Sequence, residues 1–221
     1  MNEVKKFFLI ETLAWKWEDF SEREKGFNLL GYHIARMSKS ANDFRIPFDR
    51  QKLEEELYQT GYKLLEKGET IQKIRITLDG RGKLAISCQK FPPTPDLPVK
   101  IDISPQRVKS CDTFLYHKTN KRRLFDLERK RLKKAGTFET IFLNEHGELT
   151  QGTITNLFLD KDKGILETPA LACGLLPGTL RQHLLDTRKA VETILTTDDL
   201  LNAKRIFVGN SLRGLLEAKL V

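Results

Sequence analysis

The stretch from Gly147 to Arg181, GELTQGTITNLFLDKDKGILETPALACGLLPGTLR, constrains the fold of this chain more than any other. Ahead of it, Ile141-Phe142-Leu143 is an apolar run that stops at Asn144-Glu145-His146-Gly147, the polar and turn-forming residues that end a strand. Thr155 to Leu159 and Gly164 to Thr168 read as two further short strands joined by the turn Asp160-Lys161-Asp162-Lys163, so a β-meander is expected. Its last strand runs into Pro169, passes a loop holding Cys173 and Gly174, and reaches Leu176-Pro177-Gly178. From Thr179 to Thr187 the periodicity and polarity are helical. A helix that opens directly after a glycine presents backbone N–H groups that can hold an anion.

The rest of the chain supports an α/β organisation. FFLIETL, Phe7 to Leu13, fits a buried strand interrupted by Glu11 and Thr12. Asn28 to Phe44 carries apolar residues at helical spacing, with Asn28 placed as its cap, and His33 and Arg36 fall on one face of it. Asp49 to Lys67 is a second amphipathic helix. Gln72 to Leu78 and Lys83 to Gln89 alternate as strands around the hairpin turn Asp79-Gly80-Arg81-Gly82. The proline-rich run Phe91 to Pro98 disfavours regular structure and is read as the boundary between an N-terminal subdomain, 1–98, and a larger one, 99–221. Val99 to Ile103 resumes as a strand, Leu124 to Ala135 is a basic helix ending at Gly136, and Lys204 to Val208 is a strand leading into the turn Gly209 to Gly214.

Composition narrows the function classes. Hydrophobic residues at 39% and charged ones at 31% are ordinary for a soluble globular protein, and no apolar stretch reaches the length of a membrane span. The opening MNEVKKFFLIETLAW carries charges where a signal peptide needs an apolar block, so the cytoplasm is expected. Three cysteines, with no CxxC pair and no histidine at ligand spacing, read as reduced thiols and give no metal site. The net charge of +8 is spread along the chain, and its densest cluster, Lys118 to Lys134, also holds Asp126 and Glu128. That pattern suits attraction of small anions better than a nucleic-acid surface.

The runs LTQGTITNLF and LETPALACGLLPG, with an arginine beyond them, resemble the signature of the fold-type IV pyridoxal-phosphate (PLP) enzymes, also called class IV aminotransferases. That family holds branched-chain and D-amino-acid aminotransferases and 4-amino-4-deoxychorismate lyase. The resemblance covers nearly the whole chain except the opening strands of full-length members. It implies a two-subdomain α/β fold of the α+β type, shortened at the N-terminus, with the cofactor between the subdomains, and a homodimer.

The resemblance also implies roles for single residues. YHKTNKRRLFD is similar to the lyase-type segment in which a lysine between His and Thr is joined to PLP, which makes Lys118 the catalytic lysine; a desolvated lysine can form an imine and then move protons as a base. His33-Ile34-Ala35-Arg36 is similar to a pair whose arginine lies on the cofactor phosphate; Arg36 takes that role, and His33 is read as a packing residue. GNSLRG is similar to the family's second phosphate-side loop, giving Ser211 as a hydroxyl donor and Arg213 as a residue facing substrate. The N–H groups of Thr179 and Leu180 after Gly178 complete the phosphate contacts, and Asn156 buttresses the loop. Arg75 either faces solvent or meets a substrate carboxylate, as strand arginines do in some relatives.

The pattern also departs from the family. Gln151 stands where aminotransferases carry a glutamate that keeps the ring nitrogen of PLP protonated, and Phe125 stands where lyase-like relatives carry a tyrosine. A neutral amide gives no charge to a pyridinium, so the ring becomes a weaker electron sink. Transamination suffers more from this than lyase chemistry does, since the lyase reaction is driven by making an aromatic product. Lyase is therefore the first expectation, with aminotransferase or an inert relative as alternatives.

Overall fold

A computed structural model describes residues 7–18 and 25–221. Met1–Lys6, part of the opening weighed against a signal peptide, lies outside the described residues. The chain forms two compact units, Met1–Pro93 together with Lys118–Lys121, and Thr94–His117 together with Arg122–Val221.

In the first unit, β1 (Phe8–Lys16), β2 (Ile71–Asp79) and β3 (Leu84–Lys90) form an antiparallel sheet in that order, accompanied by α1 (Leu30–Asp43) and α2 (Arg50–Glu66). Strand alternation sends Ile74, Ile76 and Leu78 to one face, where they pack with Leu9, Leu13 and Trp15 of β1 and with Ile34, Met37, Leu53 and Leu57 of the helices. α2 is capped as its sequence predicts: the Asp49 carboxylate accepts the Lys52 N–H at 3.0 Å. α1 is not capped by Asn28. The Asn28 N–H is taken by the Ala14 carbonyl and the chain pairs with β1 through Phe27, so the helix starts after Leu29, in the left-handed region at φ 54°.

Lys118, expected in the C-terminal subdomain, belongs by its contacts to the first unit. The reason is backbone pairing. The Ile10 N–H donates to the Lys118 carbonyl at 2.8 Å, the Asn120 N–H donates to the Phe8 carbonyl, and the Phe8 N–H donates to the Asn120 side chain, so this segment adds itself to the free edge of β1.

The second unit holds a seven-stranded sheet. In chain order its elements are β4 (Val99–Val108), a 3-10 turn at Thr113–Tyr116, α3 (Arg123–Ala135), β5 (Glu139–Asn144), β6 (Asn156–Asp160), β7 (Leu166–Pro169), a 3-10 turn at Leu171–Cys173, α4 (Thr179–Asp186), β8 (Ala190–Thr193), α5 (Thr197–Leu201), β9 (Arg205–Asn210) and β10 (Gly214–Leu220). The order across the sheet is β5-β4-β10-β9-β6-β7-β8. β4 and β5 are parallel across α3, and β7 and β8 are parallel across α4, as crossover connections require. One core cluster of this unit includes Val99, Ile101, Ile141, Leu149, Leu157, Val208 and Leu216.

The expected meander is realised only in the β6–β7 hairpin. In the sheet order β5 is separated from β6 by β4, β10 and β9. Beyond β5 the short segment 149–151 turns back along it instead: the Phe142 N–H donates to the Gln151 carbonyl and the Thr150 N–H to the Phe142 carbonyl. Gln151 then bridges Asn156 at the start of β6.

Candidate active site

In the first unit the chemistry gathers around one buried carboxylate. Glu11, on β1 and 2% exposed, accepts Nε of Arg36 at 2.8 Å, Nη2 of Arg36 at 2.5 Å and the Nδ1 edge of His33 at 2.7 Å. The helical spacing of His33 and Arg36 delivers both to it from α1. Burial by itself would raise the Glu11 pKa; the charge and hydrogen bond of Arg36, then those of His33, override it and hold the carboxyl at about 2. His33 is pushed below its ordinary value, chiefly by burial against the opposing pull of Glu11, with the charges of Arg36 and Lys118 acting in the same direction as burial. As a neutral imidazole it donates its Nδ1 proton to Glu11. Lys118 is thus electrically close to this cluster, and its side chain is half-buried.

Arg75 lies elsewhere. Its register partners in the sheet are Thr12 and Ser87, which places it on the face opposite Ile74, Ile76 and Glu11.

In the second unit four sequence segments converge. Leu176 is tied at both backbone groups: its N–H donates to Gln151 Oε1 at 3.1 Å and its carbonyl accepts Nδ2 of Asn156 at 3.0 Å. Gly178 must be glycine, because a Cβ there would sit 1.9 Å from Asn156 Oδ1. α4 opens at once after it, and its N-cap residue, Gly178, brings no side chain to the first turn at Thr179 and Leu180. The turn after β9 joins the same region, since Gly209 is the register partner of Asn156 and Nδ2 of Asn210 donates to the Ile154 carbonyl. Ser211 is buried in that turn.

Three anchoring residues are not announced by the sequence. Glu139, fully buried at the start of β5, accepts hydrogen bonds from the Thr153 N–H and Oγ1, the Ile154 N–H and Thr155 Oγ1, and its Cδ lies 2.5 Å from where a Cβ on Gly152 would be. It fixes the loop between Gln151 and Asn156. Arg181, 1% exposed, ties α4 to the Pro169 carbonyl and to Glu192. Glu11 anchors Arg36 in the same manner. The available signal for Glu11 and Glu139 is a lone acid within an apolar strand run, which goes inward only when paired.

Arg213 carries a buried Nε with no hydrogen-bond partner among the described residues, and its guanidinium lies 6.0 Å from the Phe138 ring. Burial and then the Arg129 charge hold its pKa below the ordinary arginine value. Phe125 packs edge-on against Phe142.

A family profile described as amino-transferase class IV matches residues 9–221. The chain belongs to the class IV aminotransferase family. Members are enzymes that work with PLP. A provisionally named amino-acid aminotransferase from Mesorhizobium loti is similar at 39% identity and a TM-score of 0.86, over 97% of this chain and 100% of that one. The 4-amino-4-deoxychorismate lyase of Pseudomonas aeruginosa shares the fold at a TM-score of 0.79 and 22% identity, over 96% of this chain and 82% of its own. A provisionally named aminodeoxychorismate lyase of Schizosaccharomyces pombe is 31% identical over 86 residues, 38% of this chain and 37% of that protein. The class IV chain is therefore an α/β enzyme of fold-type IV. Among its described residues no helix is long and apolar enough to cross a membrane.

Proposed function

We propose that this class IV chain is a PLP-dependent lyase that converts 4-amino-4-deoxychorismate to 4-aminobenzoate and pyruvate, acting as a cytoplasmic homodimer in folate synthesis. The residues present fit such a cofactor. A guanidinium held in place by a buried carboxylate, a helix that opens directly after a glycine, and a glutamine whose amide nitrogen has no bonded protein partner among the described residues suit a phosphate and a polar ring.

In this reading Lys118 holds the cofactor through its amine. Arg36, Ser211 and the N–H groups of Thr179 and Leu180 after Gly178 take the phosphate. Asn156 keeps Leu176 and Gly178 in register. Gln151 lies at the ring nitrogen. Arg75 and Arg213 are the candidates for substrate carboxylates, and the unpartnered Nε of Arg213 favours the latter. The bound cofactor supplies an electron sink. With the cofactor bound, the Lys118 amine would take the proton from the substrate ring and return one to the departing enolpyruvate, which would leave as pyruvate.

The observation that carries the choice of reaction is the neutral side chain of Gln151, which weakens the sink that transamination needs. The name given to the Mesorhizobium loti relative favours the second reading, an aminotransferase for branched-chain or D-amino acids. Loss of activity through Gln151 is the third reading. One assay separates them: pyruvate released from aminodeoxychorismate supports the lyase, an α-keto acid formed from an amino donor overturns it, and neither product points to an inert relative.

A further inference from the structure

Gln151 is 7% exposed, and its Oε1 is committed to the Leu176 N–H. The orientation of the amide comes from that bond. Turning it over would set the NH2 group against the Leu176 N–H, donor against donor, and leave a backbone group unpaired at a cost of about 1–3 kcal/mol. The other end of the amide is therefore Nε2, and no described protein group accepts from it.

We infer that Gln151 presents a fixed hydrogen-bond donor, so that a ring nitrogen placed against it is held as an unprotonated acceptor. The inference rests on the PLP reading above. A glutamate at this position could accept the same Leu176 N–H with one oxygen and leave the other, negative, facing outward. Exchanging the carboxylate for the amide thus keeps the link to Leu176, and with it the Asn156–Gly178 arrangement, while reversing the hydrogen-bonding sense of one outward atom. That atom separates a pyridinium from a pyridine.

The charged groups bonded to this loop do not restore a protonated ring nitrogen. Both oxygens of Glu139 are engaged by Thr153, Ile154 and Thr155. Arg122, whose Nη2 donates to the Thr153 carbonyl, is a cation. Gln151 is on this account a specificity-determining residue. It keeps the bound ring a poor sink for transamination without disturbing the loop.

The test is the 15N chemical shift of ring-labelled PLP bound to the wild-type protein, measured across the neutral pH range. A pyridine-like shift that does not titrate is expected, and Gln151→Glu should move it to the pyridinium position and raise the transamination half-reaction by about tenfold or more. A pyridinium shift in the wild type, with Lys118-dependent visible absorbance present, overturns this inference and leaves the cofactor reading standing. Absence of any such absorbance overturns both. The wild-type measurement decides even if the glutamate variant fails to fold, and Gln151→Met, which lacks the donor, should then keep the pyridine-like shift while holding the cofactor more weakly.

Discussion

At the scale of single residues, Glu11 carries more than its place in an apolar strand suggests. Replacing it with glutamine leaves the Arg36 guanidinium and His33 buried without their carboxylate, the situation in which breaking a buried pair costs about 3–5 kcal/mol. Denaturant unfolding of Glu11→Gln should show a loss of that size; a loss below about 1 kcal/mol would show that water reaches the cluster. The pH dependence has a definite sign. Glu11 is held at about 2 in the folded chain against 4.5, so its contribution is complete above 4.5 and is lost as pH falls toward 2. His33 has a lowered folded pKa, so the unfolded chain takes up its proton first and stability begins to fall below 6.5. Stability should therefore decline on acidification through both windows, and in Glu11→Gln the decline between 4.5 and 2 should shrink. Gly178→Ala would drive a methyl group into Asn156 Oδ1, so a loss of about 1–3 kcal/mol and a weaker hold on inorganic phosphate are expected by calorimetry.

At the scale of elements, the loop Gly152–Thr155 owes its shape to Glu139 rather than to its own sequence. Glu139→Gln keeps the volume but turns one acceptor into a donor facing the Thr153 and Ile154 N–H groups and their neighbouring hydroxyls. Those two amides should then exchange hydrogen faster than in the wild type while the amides of β9 keep their protection; unchanged exchange in the loop would mean that Asn210 and Arg122 hold it without Glu139. Such anchors explain what could be read from the chain and what could not. Asp49 capping α2, the Asp79–Gly82 hairpin and the end of α3 at Gly136 are local events, encoded within a few neighbouring residues, and all are legible. β8 and α5, four and five residues long, are too short for a periodic pattern to stand out, and β10 escapes the reading although its residues alternate. Asn28 fails as a cap because its backbone pairs with β1 and the helix begins only after Leu29, one residue too late for it. The bonds from Glu11 to Arg36 and from Glu139 to Thr155 join residues distant in sequence, and no periodicity announces them.

For the molecule as a whole, the resemblance supplies what physics alone could not choose: one lysine among many. The structure adds that the backbone of Lys118 pairs along the edge of the unit that also holds Glu11, His33 and Arg36, and that Gln151, Asn156, Gly178 and Ser211 gather in the other. The fold-type IV assignment rests on the family match across residues 9–221, whereas the reaction depends on single side chains that fold similarity does not fix. The most direct measurement is borohydride reduction of the PLP-loaded protein and peptide mass mapping of the product. The account predicts a phosphopyridoxyl group on Lys118, absent from Lys118→Ala; its appearance on another lysine, or on none, would contradict the account.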